Sequence, residues 1–151
     1  MQHTLYKISE IELQYKPEMK AIDRPVLKCT DDVYQMFKQH WNMDLIELVE
    51  EFKVIFLNRS NAVLGILNVS TGGLTGVIAD PRVIFVAALK SGATGLLLAH
   101  NHPSMNLNPS KEDIALTEKI KKAGQFLDIQ IIDHLIINEK GYFSFVGAKL
   151  L

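Results

Sequence analysis

An α+β domain is the fold class this sequence predicts: a mixed, largely antiparallel β-sheet flanked by helices in three-layer fashion. Three observations carry it. Short apolar runs of strand length recur at 52–57, 62–69, 95–99 and 129–137. Helix-opening signals stand between them at Thr30-Asp31, Asp80-Pro81 and Ser110. Turn clusters, Asn58-Arg59-Ser60-Asn61 and Asn138-Glu139-Lys140-Gly141, join neighbouring runs into hairpins.

Taken in order, residues 1–29 read as an amino-terminal extension and 30–151 as the domain proper. In the extension, Leu5, Ile8, Ile11, Leu13 and Tyr15 are spaced for a strand or two, and Pro25 marks a connector. Thr30-Asp31 opens a helix that places Val33, Met36, Phe37, His40 and Trp41 on one face. His40 and Trp41 therefore read as packing residues. After a short piece from Asp44 to Val49, the run behind Glu50 is apolar on successive positions, as in a strand covered on both faces. Ala62 to Val69 returns as its partner, Thr71-Gly72-Gly73 turns, and Leu74 to Ile78 suits a further short strand.

Asp80 is an N-cap with proline at the first helical position. The helix it opens, VIFVAALK, is apolar on nearly all sides, which predicts a central, buried element ending at Ser91-Gly92. The buried strand from Gly95 to Ala99 follows. A loop from Pro103 to Pro109 leads to a helix from Ser110 to about Ala123, stopped at Gly124. Ile129–Ile137 and Tyr142–Val146 close the fold as a hairpin.

Composition bounds the function. With 151 residues, 48% hydrophobic and 22% charged, the chain suits one soluble domain with a self-sufficient core. Sixteen basic and 17 acidic residues leave a net charge of -1, which argues against direct nucleic-acid binding and a nuclease. The cluster Lys119, Lys121 and Lys122 reads as a solvated helix face, and Arg82 as half of a structural ion pair. No apolar stretch reaches the roughly 18 residues that span a bilayer. Met1 to Lys7 lacks a signal-peptide core. The single cysteine, Cys29, excludes an internal disulfide framework, fits a reducing cytoplasm and reads as a packed thiol.

The chemistry concentrates at His100-Asn101-His102-Pro103-Ser104, followed by Ser110 and Asp113, a pattern H-x-H-x7-S-x2-D. Histidines at i and i+2 on an extended segment project to one side. With the Asp113 carboxylate they supply two nitrogens and one oxygen, the donor set of a zinc site whose fourth position stays open. Ser110 and Asp113 also form a capping-box start, which would fix the carboxylate at the first turn. Such a site needs a base outside the ligand set, and Glu50 and Glu51 are the candidates. It also needs an oxyanion donor, for which the Ser110 hydroxyl is placed. Asn101 points to the other strand face and is expected to hold backbone. Asp133-His134 reads as a satisfied structural pair, with orientation of a ligand as the alternative.

His100-Asn101-His102-Pro103-Ser104 with Pro109, Ser110 and Asp113 resembles the JAMM motif of the JAB/MPN metalloprotease superfamily, most closely its RadC branch. Glu50 to Asn58, Pro81-Arg82 and Ile132-Asp133-His134-Leu135 support the resemblance, which covers roughly 30–147. It implies the JAB/MPN fold, one zinc per chain held by His100, His102 and Asp113, Ser110 on the oxyanion side and Glu50 as the acid, with Glu51 the alternate. The implied activity is hydrolysis of a peptide or isopeptide bond by metal-bound water, in a family associated with DNA repair. The alternative is a binding or scaffold module that keeps the metal site for stability or recognition. Two departures stand out. The family usually has glycine where this chain has Met105, and the amino-terminal helix-hairpin-helix module of full-length relatives is not expected in this sequence.

Overall fold

The computed structural model describes residues 8–12, 14–72 and 79–151. Its centre is a five-stranded sheet made of β1 (Glu51–Leu57), β2 (Val63–Thr71), β3 (Gly95–Asn101), β4 (Gln130–Ile137) and β5 (Tyr142–Ser144), in the order β2-β1-β3-β4-β5. Neighbours run antiparallel except β3 and β4. That parallel pair requires a crossover, supplied by helix α3 (Lys111–Phe126). Helices α1 (Thr30–Gln39) and α2 (Pro81–Ser91) complete the layers.

All seven residues of β3 are buried, because the strand has neighbours on both edges and helices on both faces. Alternate side chains feed two cores. Val54, Phe56, Leu96 and Leu98 join Ile84, Phe85 and Ala88 of α2 and Ile120 of α3. Ile55, Leu57, Leu97 and Ala99 join Val33, Phe37 and Trp41 on the α1 side. This is the α+β, three-layer arrangement the apolar runs predict.

Several local expectations are corrected. Among the described residues between Leu5 and Tyr15 there is no strand, and Ile8 and Ile11 are 88% and 84% exposed, so they bury nothing. The strand expected from Leu74 to Ile78 lies outside the described residues, as do Leu5 and Leu13. Cys29, the N-cap of α1, is exposed, not packed. His40 is exposed as well: it is the C-cap, and its Nδ1 lies 2.9 Å from the Met36 carbonyl oxygen. Helix α2 starts and stops as its signals predict, with Gly92 at φ 69. It is not buried all round, since Val83, Val86 and Leu89 face outward. Gly124 does not stop α3, which continues to Phe126. A Cβ there would collide with the Ile129 carbonyl oxygen, so the glycine serves close approach of helix and sheet. The left-handed turn residue is Asp128, at φ 55. No helix among the described residues is long and apolar enough to cross a membrane.

Candidate metal centre

Strand β3 delivers His100 to the α2/α3 face, in register with Phe52 of β1, and His102 follows just beyond the strand end. The two Nε2 atoms lie 3.0 Å apart. Asp113 meets both from the first turn of α3, with Oδ1 3.2 Å from His100 Nε2 and Oδ2 3.3 Å from His102 Nε2. The capping box sets that carboxylate. Oδ2 accepts from the Ser110 amide and hydroxyl, both at 2.7 Å, while Ser110 Oγ accepts from the Asp113 amide at 3.1 Å. The cap and the convergence on the histidines thus coexist.

These spacings suit one ion. Ligands about 2.0 Å from a tetrahedral centre stand roughly 3.3 Å from each other. His102 Nδ1 lies 2.8 Å from the Asn106 carbonyl oxygen, which can only accept. The ring proton therefore sits on Nδ1, and Nε2 turns its lone pair inward. Two imidazoles and a carboxylate converging at these distances are a donor set for a cation. Glu50, His100 and His102 also present ligand atoms that all lie within 4.8 Å of one another, a group that could hold a metal ion.

The structure separates the two upstream acids. Glu50 precedes β1 and faces the histidines. Burial pushes its carboxyl above the usual range, with His100 and His102 pulling against that. Glu51 turns elsewhere, to Lys53 Nζ at 3.4 Å and Asn68 Nδ2 at 3.2 Å. Asn101 holds backbone as expected. Its Nδ2 donates to the Ile46 and Val49 carbonyls at 2.7 and 2.9 Å, and its Oδ1 accepts the Glu51 amide at 2.9 Å. One buried side chain therefore fastens the peptides on both sides of Glu50.

The charges are coupled. Burial alone would raise the Asp113 carboxyl, but the His100 and His102 imidazoles and the Ser110 hydroxyl beside it hold it far below the usual carboxylate range. The same carboxylate raises the His102 imidazole against its burial. His134 is wholly buried, which holds its imidazole well below the ordinary histidine value. It lies 2.8 Å from His100 Nδ1, so it touches the site that the structural reading kept it apart from. Thr117, one helical turn after Asp113, lies 2.6 Å from His134 Nδ1. Its signal in the sequence is the i, i+4 spacing, which puts it on the Asp113 face of α3.

Met105 also finds its explanation here. Its φ of 63 lies in the left-handed region that glycine favours. The loop keeps that conformation although a side chain makes it roughly 1–2 kcal/mol more costly. Packing of Met105 against the α1-side core and a 3.0 Å bond from Asn138 Nδ2 to its carbonyl offset the strain.

The RadC-like JAB domain family model matches residues 27–150. A UPF0758 protein of Flavobacterium johnsoniae is 56% identical over 101 residues, 67% of this chain and 44% of that protein. UPF0758 proteins of Moorella thermoacetica and Symbiobacterium thermophilum are 43% and 41% identical over 102 and 103 residues, in each case 68% of this chain and 44% of the relative. The chain spans less than half the length of these curated relatives. A family match over most of the sequence, on a mixed sheet with helices on both faces, places the chain in the RadC-like JAB domain family.

Proposed function

We propose that this chain is a zinc-dependent hydrolase of the JAMM type that cuts a peptide or isopeptide bond. The observation that carries the reading is the convergence of His100, His102 and Asp113 at tetrahedral spacing, with Glu50 beside them. In this reading His100, His102 and Asp113 hold one ion. Two imidazoles and a carboxylate are the donor set of a catalytic zinc site, and zinc is the ion this reading assigns. When bound, the ion would act as a Lewis acid and lower the pKa of a water it holds to about 7.

Glu50 is the general base: its half-buried carboxylate takes the water proton and passes it to the leaving amine. Ser110 is the donor to the oxyanion. Its hydroxyl rests on Asp113, which keeps the bond from the Ser110 amide when the hydroxyl turns to substrate. The lone exposed Cys29 supports a reducing, cytoplasmic setting. The test is cleavage of a panel of linear peptides and lysine-linked isopeptides by the zinc-loaded protein, followed by mass spectrometry. Cleavage that a chelator stops is the expected result. No cleavage of any substrate, with a melting temperature that falls when zinc is removed, would favour the scaffold reading.

A further inference from the structure

We propose that Thr117 and His134 form a relay that sets the tautomer of His100, making His134 a positioning residue for the metal centre. The inference rests on the zinc reading above and adds residues to it.

The relay starts at a group that can only accept. Thr117 Oγ1 lies 2.6 Å from the Asp113 backbone carbonyl oxygen and 2.6 Å from His134 Nδ1. The hydroxyl has one proton. Sent anywhere but the carbonyl, it would leave two oxygens facing each other unbridged. The hydroxyl therefore donates to Asp113 and accepts from His134 Nδ1–H. With its proton on Nδ1, His134 presents the Nε2 lone pair to His100 Nδ1, 2.8 Å away, and His100 must donate. The remaining nitrogen of His100, Nε2, then turns its lone pair toward His102 and Asp113. Each direction follows from the one before, back to a helix carbonyl.

Two features hold the relay in place. The rings are clamped: His134 stacks on Phe145 at 4.6 Å, Phe52 meets His134 edge-on at 5.4 Å, and Phe52 stacks on His100 at 6.0 Å. His134 is 0% exposed, so no bulk water competes for its nitrogens. The second feature is a β-bulge. Ile131 packs on the α2/α3 side, yet Leu135, an even number of residues further, packs on the α1 side. Between them the pairing with β3 skips one residue of β4, which turns His134 toward His100. Asp133 fastens the bulge by accepting from the His134 amide at 2.7 Å, the Val146 amide at 3.1 Å and Ser144 Oγ at 2.6 Å. Without the extra residue, the imidazole would face α1.

Two measurements decide the relay. Long-range nitrogen NMR of the metal-free protein should show His134 and His100 both protonated at Nδ1. Protonation of either at Nε2 alone would overturn the relay, whatever the fate of zinc. In the variant Thr117→Val, His134 loses its acceptor, and the proton moves to Nε2, forcing His100 to protonate the nitrogen that faces the ion. Zinc affinity, measured by chelator competition, should fall about 10- to 100-fold. Thr117→Ser, which keeps the hydroxyl, should restore it. Equal affinity in wild type and Thr117→Val would sink the relay while leaving the metal site standing. A wild type that takes up no zinc would sink the metal reading itself and the role assigned to His134.

Discussion

Glu50→Gln is expected to retain zinc and to lower hydrolysis by about a hundred- to ten-thousand-fold, the usual contribution of a positioned general base. Glutamine keeps the size of the side chain and removes only the ability to accept and return a proton. The same substitution at Glu51 should leave the rate intact, because that carboxylate is occupied by Lys53 and Asn68. Zinc content and cleavage rate, measured on both variants, separate three cases. Zinc kept and rate lost assigns Glu50 as the base. Zinc lost makes it a ligand, since it lies in ligand reach of both histidines. Full activity in both variants would contradict the mechanism.

Asn101→Ala is expected to cost on the order of 3 kcal/mol of stability, because it strands buried backbone groups. Two carbonyls, of Ile46 and Val49, and the amide of Glu51 lose their partner together. The orientation of the native amide is forced, since carbonyls need the NH2 and the backbone N–H needs the oxygen. For a chain of this size the loss corresponds to a fall of roughly 6–12 °C in melting temperature. Catalysis should drop further than stability explains, because the peptides on both sides of Glu50 are released. A melting temperature within about 2 °C of wild type would show that Asn101 clamps nothing of consequence.

Local signals exposed most of this molecule in its sequence. His100 and His102 could be paired because strand alternation is rigid, and Asp113 could be added because a capping box fixes its first-turn position. Asn101 could be assigned to backbone for the same reason of alternation. What stayed hidden depends on longer-range packing. The bulge that turns His134 toward His100 rests on bonds from Ser144 and Val146 to Asp133, well separated in sequence. The exposure of Val83, Val86 and Leu89 depends on how many layers cover α2, which its apolar sequence does not encode. The stop expected at Gly124 falls beyond it, with Asp128 taking the left-handed turn, because close approach and left-handed geometry both favour small or turn-forming residues. Met105 shows the reverse case, a loop conformation held against the preference of its own residue.

The central claim is that His100, His102 and Asp113 hold a metal, and elemental analysis tests it most directly. The protein is purified without chelator or an affinity metal, beside the double variant His100→Ala/His102→Ala. About one zinc per chain in the wild type and none in the variant is the predicted result. No metal in either, even after zinc is supplied, would contradict the account and leave the histidines with a structural role.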